Sequence, residues 1–497
     1  MRHKYATPWI WIFLLPLALD YQGTDANPAH FAPLLLVLLS MAAGLALLLI
    51  APRFRVPSRL RSVVTISTLL CVFGSIVSQL AQGNDTGNYL HTLLPFVLFM
   101  LGYFVASRPW SEYRLAQFEK ALFLASVISL VSTFFYGMAA SGGLDEVRLR
   151  IVSVTLLGLQ GVLLHEFVVA RRFSFYTVAA FAATVLVELV SETRSLLVGT
   201  GLLFLLATAL RAPTIRRIRH MLAPGLVVGA VLAGTGGIAA WSFPDVAQQW
   251  TQHIFASGEA VSGKDPTAIA RQSEMRNQYD QVTSSASTLL FGEGYGHEYR
   301  YSPVHLPGLA GQFTEEDLNP IHEWAAGHNF WVYQLFAGGL VFGIGMPLAM
   351  LAALAICFFS YRYWRAVVPE APLLPVLGRA IMLFAALPAT SIGGNPLGPR
   401  FSGLVFGVAL GLMIATHARL QRALPARAKR PAWPPQQCSA AMPDLPGRVH
   451  PGMGRSDLAV TLGMSHPVGA PSESKPSGAL VPRNSPAPHA NRPTIAR

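Results

Sequence analysis

The sequence predicts an all-α, polytopic membrane protein with about 12 transmembrane helices and one large loop on the outer face. Two observations carry that fold class. Hydrophobic types make up 52% of the 497 residues and charged types only 12%, roughly half the charged share of an ordinary soluble chain. The apolar residues also fall in blocks of about 20, the length at which a helix rising about 1.5 Å per residue crosses roughly 30 Å of hydrocarbon. Together they exclude a water-soluble globular enzyme.

In order, the blocks run over residues 8–21, 32–51, 63–82, 89–107, 120–137, 151–170, 173–191, 195–210, 222–242, 328–359, 373–392 and 400–417. The first is short and follows Arg2 and Lys4, so a cleaved signal peptide is the alternative; without a small-x-small cleavage site it reads as a span. Basic residues mark the connections that stay in the cytoplasm. Arg53, Arg55, Arg59 and Arg61 mark one, Arg108 and Arg114 the next, then Arg171 and Arg172, then Arg211, Arg216, Arg217 and Arg219, and finally Arg362 and Arg365. All fall on one side of a twelve-span count, which puts both termini inside.

Three regions follow from this count. Residues 1–417 form the membrane domain, and residues 243–327 form the loop between the ninth and tenth spans, on the outer side. That loop holds eleven acids against four bases, a balance of −7. A structureless loop of that length is uncommon, so a small folded cap is expected. The stretch from Ala268 to Leu290, with Met275, Tyr279, Val282 and Leu289 among polar residues, reads as one amphipathic helix within it. Residues 418–497 form a basic, Pro-rich tail with 11 bases, 3 acids and 14 of the 36 prolines, a composition that predicts disorder. Its first stretch, Arg419 to Arg430, can lie against anionic inner-leaflet lipid. The formal charge of +12 therefore sits in a tail and in short loops, and it argues against a nucleic-acid partner. Cys71 and Cys357 lie in apolar blocks and Cys438 in the tail, so neither a disulfide framework nor a metal-ligand spacing can be drawn.

Several residues break the pattern of a bland membrane protein. Arg194, in Ser191-Glu192-Thr193-Arg194-Ser195, is pinned at the outer membrane edge between two blocks, and Arg148, Arg150 and Arg400 also stand at outer span ends. A single such arginine snorkels; several suit an external anion site, since guanidinium is a permanent, planar fork for phosphate oxygens. The run Phe291-Gly292-Glu293-Gly294-Tyr295-Gly296-His297 has alternating glycines. It reads as a plain turn, or as a loop that aims its N–H groups at an anion. Where the outer loop re-enters an apolar block stands Gly327-His328-Asn329-Phe330-Trp331. A neutral imidazole there can accept a proton and Asn329 can orient a polar ligand; the structural alternative is an ordinary helix start.

In this order, an outer-edge Arg, a long loop with Arg276 ahead of the glycine turn, then His-Asn, nine residues and Gly339 resemble the O-antigen ligase and polymerase superfamily over about residues 150–417. The chain departs from that pattern in having Phe342 where a second Gly is common, with Gly343 one place later, and Thr193-Arg194 where Ser-Arg is common. The resemblance implies a bacterial inner-membrane glycosyltransferase whose site faces the periplasm. It moves a glycan from an undecaprenyl diphosphate carrier to an acceptor hydroxyl on another glycan or on lipid A core sugar, with inversion and with no metal or other cofactor. It further implies His328 as general base with Asn329 beside it, Arg194 and Arg276 on the diphosphate, and contacts from Gly292, Gly294 and Gly296. Ligase and polymerase need the same groups, and span count and loop position favour the ligase branch. A lipid-linked glycan flippase or transporter is the reading from another class, motivated by Glu166 and Glu188 within or near spans.

Overall fold

A computed structural model of the protein describes residues 6–19, 31–54, 57–139, 153–191, 193–212, 222–242, 244, 266–299, 327–391 and 394–423. All belong to one compact unit, Met1–Trp433. Helix accounts for 84% of the described residues and no strand occurs among them. The fold is all-α.

The helices are α1 (Ala6–Ala18), α2 (Phe31–Ile50), α3 (Arg59–Gln82), α4 (Thr86–Ala106) and α5 (Glu112–Ala139). Then follow α6 (Ser153–Leu164), continued by a π-helical turn (His165–Ala170), α7 (Phe175–Val190), α8 (Arg194–Arg211) and α9 (Leu222–Ser242). The loop region contributes α10 (Pro266–Val282) and α11 (Ala286–Phe291). The last group is α12 (Phe330–Gly338), a π-helical turn (Gly339–Gly343), α13 (Gly345–Val367), α14 (Leu374–Thr390) and α15 (Ser402–Ala423). Among the described residues six are long and apolar enough to cross a membrane: α3, α4, α5, the Gly225–Ser242 part of α9, α13 and α15. Tail residues from 424 onward lie outside the described residues, as do Arg148 and Arg150.

The packing of α3 is inverted relative to a helix on a water-soluble protein. Its inward face is made mostly of small residues, with Thr68, Cys71, Gly74, Ser75 and Ser78 buried beside Val64 and Val72. Its large apolar residues, Val63, Ile66, Leu70, Phe73, Val77 and Leu80, are exposed at a spacing of three and four residues, so they form one outward stripe. Small residues inward and hydrocarbon outward is the arrangement that suits lipid as solvent. At the centre, α15 is buried almost all round and packs on α4 through Gly403, Gly407 and Gly411. A Cβ at Gly403 would overlap the Pro95 carbonyl oxygen, and one at Gly407 would overlap that of Phe99. Any larger side chain would push the two helices apart.

The bundle has two chemically different ends. At one, Arg61 and Arg108 lie 3.5 and 4.7 Å from the Phe54 ring centroid. Arg211, Arg365 and Arg362 donate to the carbonyls of Val168, Val169 and Ala212 at 2.7, 3.0 and 3.1 Å, where the negative ends of helix dipoles favour cations. At the opposite end α3 finishes: Ser78 Oγ donates to the Phe291 carbonyl at 2.9 Å, and Gln82 Nε2 to that of Gly292 at 3.3 Å. The basic loops predicted to share one side thus do meet at one end, as far as they are described.

The block at residues 328–359, read above as one span, is instead broken. Helix α12 stops at Gly339, whose φ of 62° and ψ of −164° lie in a region open essentially to glycine alone, and α13 begins six residues later. Hydropathy averages over such a break because Gly338, Gly339 and Gly343 remain apolar by composition.

Candidate functional site

At the end opposite the arginines, three segments meet: the α3–α4 turn, the chain from α10 to Tyr299, and the chain from Gly327 through α12. The spacing of the His-Asn motif has a local cause. Asn329 is the N-cap of α12, its Oδ1 accepting from the N–H groups of Trp331 and Val332 at 3.1 and 3.0 Å. Nine residues of helix follow, and Gly339 ends it where a Cβ would lie 2.5 Å from the Leu290 carbonyl carbon. Asn329 therefore has the structural role of a helix start, with its side-chain oxygen spent on the cap.

The glycine turn packs on the other end of α12. Gly292, Gly294 and Gly296 have φ of 79°, 89° and 79°, a backbone that L side chains resist. The N–H groups of Glu293 and Gly294 donate to the carbonyls of Phe336 and Ala337 at 2.8 and 3.0 Å. These two donors are thus engaged by the helix C-terminus, which needs them, rather than aimed at an anion. Asn84 clasps the turn to the α3–α4 connection, donating to the Glu293 carbonyl at 2.9 Å and meeting His297 Nδ1 at 2.8 Å. Burial raises the Glu293 carboxyl above its ordinary range, with His297 opposing.

His328 sits one residue before the cap, held by a partner the sequence reading did not single out. Its Nδ1 is 2.6 Å from Oε2 of Glu274, and its backbone N–H donates to Oε1 at 2.5 Å. Glu274 is 1% exposed, whereas the His328 side chain is 27% exposed. A carboxylate oxygen at this place accepts the Nδ1 proton, and in the singly protonated ring that leaves the lone pair on Nε2. Tyr299 is buried beside the same carboxylate. That burial, and then the charge of Glu274, push its hydroxyl well above its ordinary range.

Glu274 comes from α10, whose buried stripe is Ile269, Ser273, Glu274, Gln278 and Val282. Met275 and Tyr279, expected on the apolar face, lie off that stripe. The buried side is polar because it packs on the entry to α12: a Cβ at Gly327 would stand 2.6 Å from Gln278 Nε2 and 3.3 Å from Glu274 Oε1. The one sequence signal was three polar residues sharing a helical stripe with Ile269 and Val282.

The arginines are placed unevenly. Arg276 stands two residues past Glu274, about 200° round the helix. Its side chain is 58% exposed and paired with Asp280 at 3.0 Å, so it does not meet His328. Arg194 opens α8 at the same end of the bundle as His328, since α8 runs from there to Arg211 at the basic end; its side chain lies outside the described residues. Arg400 is within electrostatic reach of His91 near the start of α4, also at this end.

Compared with known proteins, the chain matches no family model and no curated sequence. Fold and site together define it as an all-α protein with, among the described residues, six helices long and apolar enough to cross a membrane and a carboxylate-held histidine at one end of the bundle.

Proposed function

We propose that the protein is a membrane glycosyltransferase of surface-polysaccharide assembly, O-antigen ligase-like, resident in a bacterial inner membrane with its site toward the periplasm. In this reading all twelve apolar blocks lie in the membrane, although the tenth is broken. The observation that carries it is the His328–Glu274 pair, a partly exposed imidazole oriented by a buried carboxylate, at the bundle end opposite the arginine-rich one. A base held this way by an orienting acid suits removal of a hydroxyl proton.

The acceptor oxygen attacks the anomeric carbon while its proton passes to Nε2 of His328. The bond from that carbon to the undecaprenyl diphosphate oxygen breaks, and the diphosphate leaves with the electron pair, inverting the centre. Charge grows on the leaving group, so a cation beside it stabilises the transition state more than the ground state. Arg194 is the candidate for that contact. Arg276 can join it only by leaving Asp280, and an exposed pair spaced i, i+4 is worth about 0.3–0.5 kcal/mol, small against a diphosphate. The acceptor is lipid A core sugar in the ligase reading and a second carrier-linked glycan in the polymerase reading.

One observation favours a second reading, a flippase or transporter of lipid-linked glycan. Glu188 in α7 is 0% exposed and accepts from Gln160 Nε2 at 2.6 Å and Thr200 Oγ1 at 2.9 Å, the kind of buried ionisable group that marks transport paths. Purified protein given undecaprenyl diphosphate-linked glycan and acceptor decides between them. Release of free undecaprenyl diphosphate supports the transferase; movement of intact donor across liposomes without cleavage overturns it.

A further inference from the structure

We propose that a pocket at the arginine end of α3 binds the phosphate group of an anionic phospholipid, at the opposite end of the bundle from His328. The pocket encloses about 490 Å³, within the rough 300–1,000 Å³ span of small-molecule sites. Arg61 and Arg108 reach into it from α3 and from just past α4, and no acidic residue lines it among the described residues. Both guanidiniums lie within 5 Å of the Phe54 ring centroid, so two like charges are gathered around one aromatic wall. Arg422 of α15 adds a third charge close enough to act on Arg61. The Nε of Arg108 is buried without a hydrogen-bond partner. Gathered cations with an orphaned donor suit a phosphate ester, whose oxygens accept several N–H bonds at once.

The rest of the lining says which phosphate. Ile66 and Phe104 form an apolar wall, and Ile66, 57% exposed, also belongs to the outward stripe that runs from Val63 to Leu80 along α3. That stripe covers about 25 Å of helix, enough to lie along an acyl chain. A headgroup pocket continuous with a hydrocarbon track fits a glycerophospholipid better than a free ion. The inference rests on the reading that α3 faces lipid.

Native mass spectrometry of the full chain, purified in a neutral detergent, tests it with phosphatidylglycerol, phosphatidylcholine of the same acyl chains, and inorganic phosphate as probes. Wild type is expected to retain phosphatidylglycerol in preference to phosphatidylcholine. The double variant Arg61→Gln/Arg108→Gln should bind it about 30-fold more weakly, as loss of two lipid-facing arginines implies. Arg171→Gln/Arg172→Gln, which removes the same charge elsewhere at that end, should bind as wild type does. Ser62→Asp, an exposed change at the pocket wall, provides a second variant should the double one fold poorly, and it too should lose lipid. Equal retention of phosphatidylcholine, equal loss in both double variants, or unchanged binding by the pocket variants would overturn the site. Displacement of lipid by equimolar inorganic phosphate would overturn the lipid assignment. Cysteine labelling across the membrane reports separately whether the chain spans it, so a failed pocket is distinguishable from a failed membrane reading.

Discussion

Replacing Glu274 by Gln keeps its size and removes one capability. Each carboxylate oxygen now accepts one bond, from His328 Nδ1 at 2.6 Å and from its backbone N–H at 2.5 Å. Glutamine offers one acceptor oxygen and one NH2 donor. If that oxygen keeps the backbone N–H, the amide donor faces Nδ1, which can then only accept. The ring proton moves to Nε2, and the lone pair that takes the acceptor proton is gone. A hydrogen bond to a charged group contributes about 1.5–3 kcal/mol, and at roughly 1.4 kcal/mol per decade the orienting bond alone accounts for about a tenfold to hundredfold loss. Inverting the tautomer adds loss of the base, so Glu274→Gln should reduce transfer by about 10²–10⁴. The assay is turnover of undecaprenyl diphosphate-linked glycan by purified enzyme, with donor binding and thermal unfolding measured on the same samples. Donor binding should stay within a few-fold of wild type. Turnover at the wild-type rate in a correctly inserted Glu274→Gln protein would refute the assigned roles of both residues.

His328→Ala should bind donor and fail to transfer, accumulating lipid-linked glycan in cells, whereas Arg194→Lys should lose donor affinity and keep some turnover; wild-type transfer by His328→Ala would sink the mechanism. Gly339→Ala forces a side chain into backbone conformation reserved for glycine, costing about 1–3 kcal/mol before the overlap with Leu290 is counted, so its unfolding midpoint should drop measurably; an unchanged midpoint would mean the break after α12 is placed wrongly. Cysteine at Ser284, in the turn between α10 and α11, should react with an impermeant thiol reagent in intact spheroplasts, and cysteine at Arg172 only after lysis; the reverse pattern would put the site in the wrong compartment. Burial raises the Glu293 carboxyl, so its native state holds a proton to higher pH than the unfolded chain and its contribution to stability declines as pH rises through that window. Glu293→Gln should therefore be the more stable protein near neutrality, with the gain fading as the wild-type carboxyl takes up its proton in acid; a gain that grows in acid would contradict this.

The class of this fold was legible in composition and block length because lipid as solvent acts on every residue of a span, and a stripe such as Val63 to Leu80 leaves its mark in a simple count. That the described arginines gather at one end of the bundle was legible for a related reason: a charge at a helix end is local information, and helices that alternate in direction carry it to one end. His328 stood out since a polar pair at the edge of an apolar block is visible in one dimension. What only tertiary structure decided is the company each residue keeps. Glu274 is one of eleven acids in a long loop, and only its place on a mixed polar and apolar helical stripe separates it from Asp280, which is paired with Arg276. It gains its role when α10 brings its carboxylate against the entry to α12, 54 residues away in sequence. Likewise Asn329 and the glycine turn look like ligand contacts in a string, yet the cap occupies the Asn329 side-chain oxygen, and the carbonyls of Phe336 and Ala337 engage the turn's N–H groups at Glu293 and Gly294. A buried backbone must satisfy its own donors and acceptors first. Which polar groups are left over for chemistry is thus a property of the packed chain, not of any segment of it.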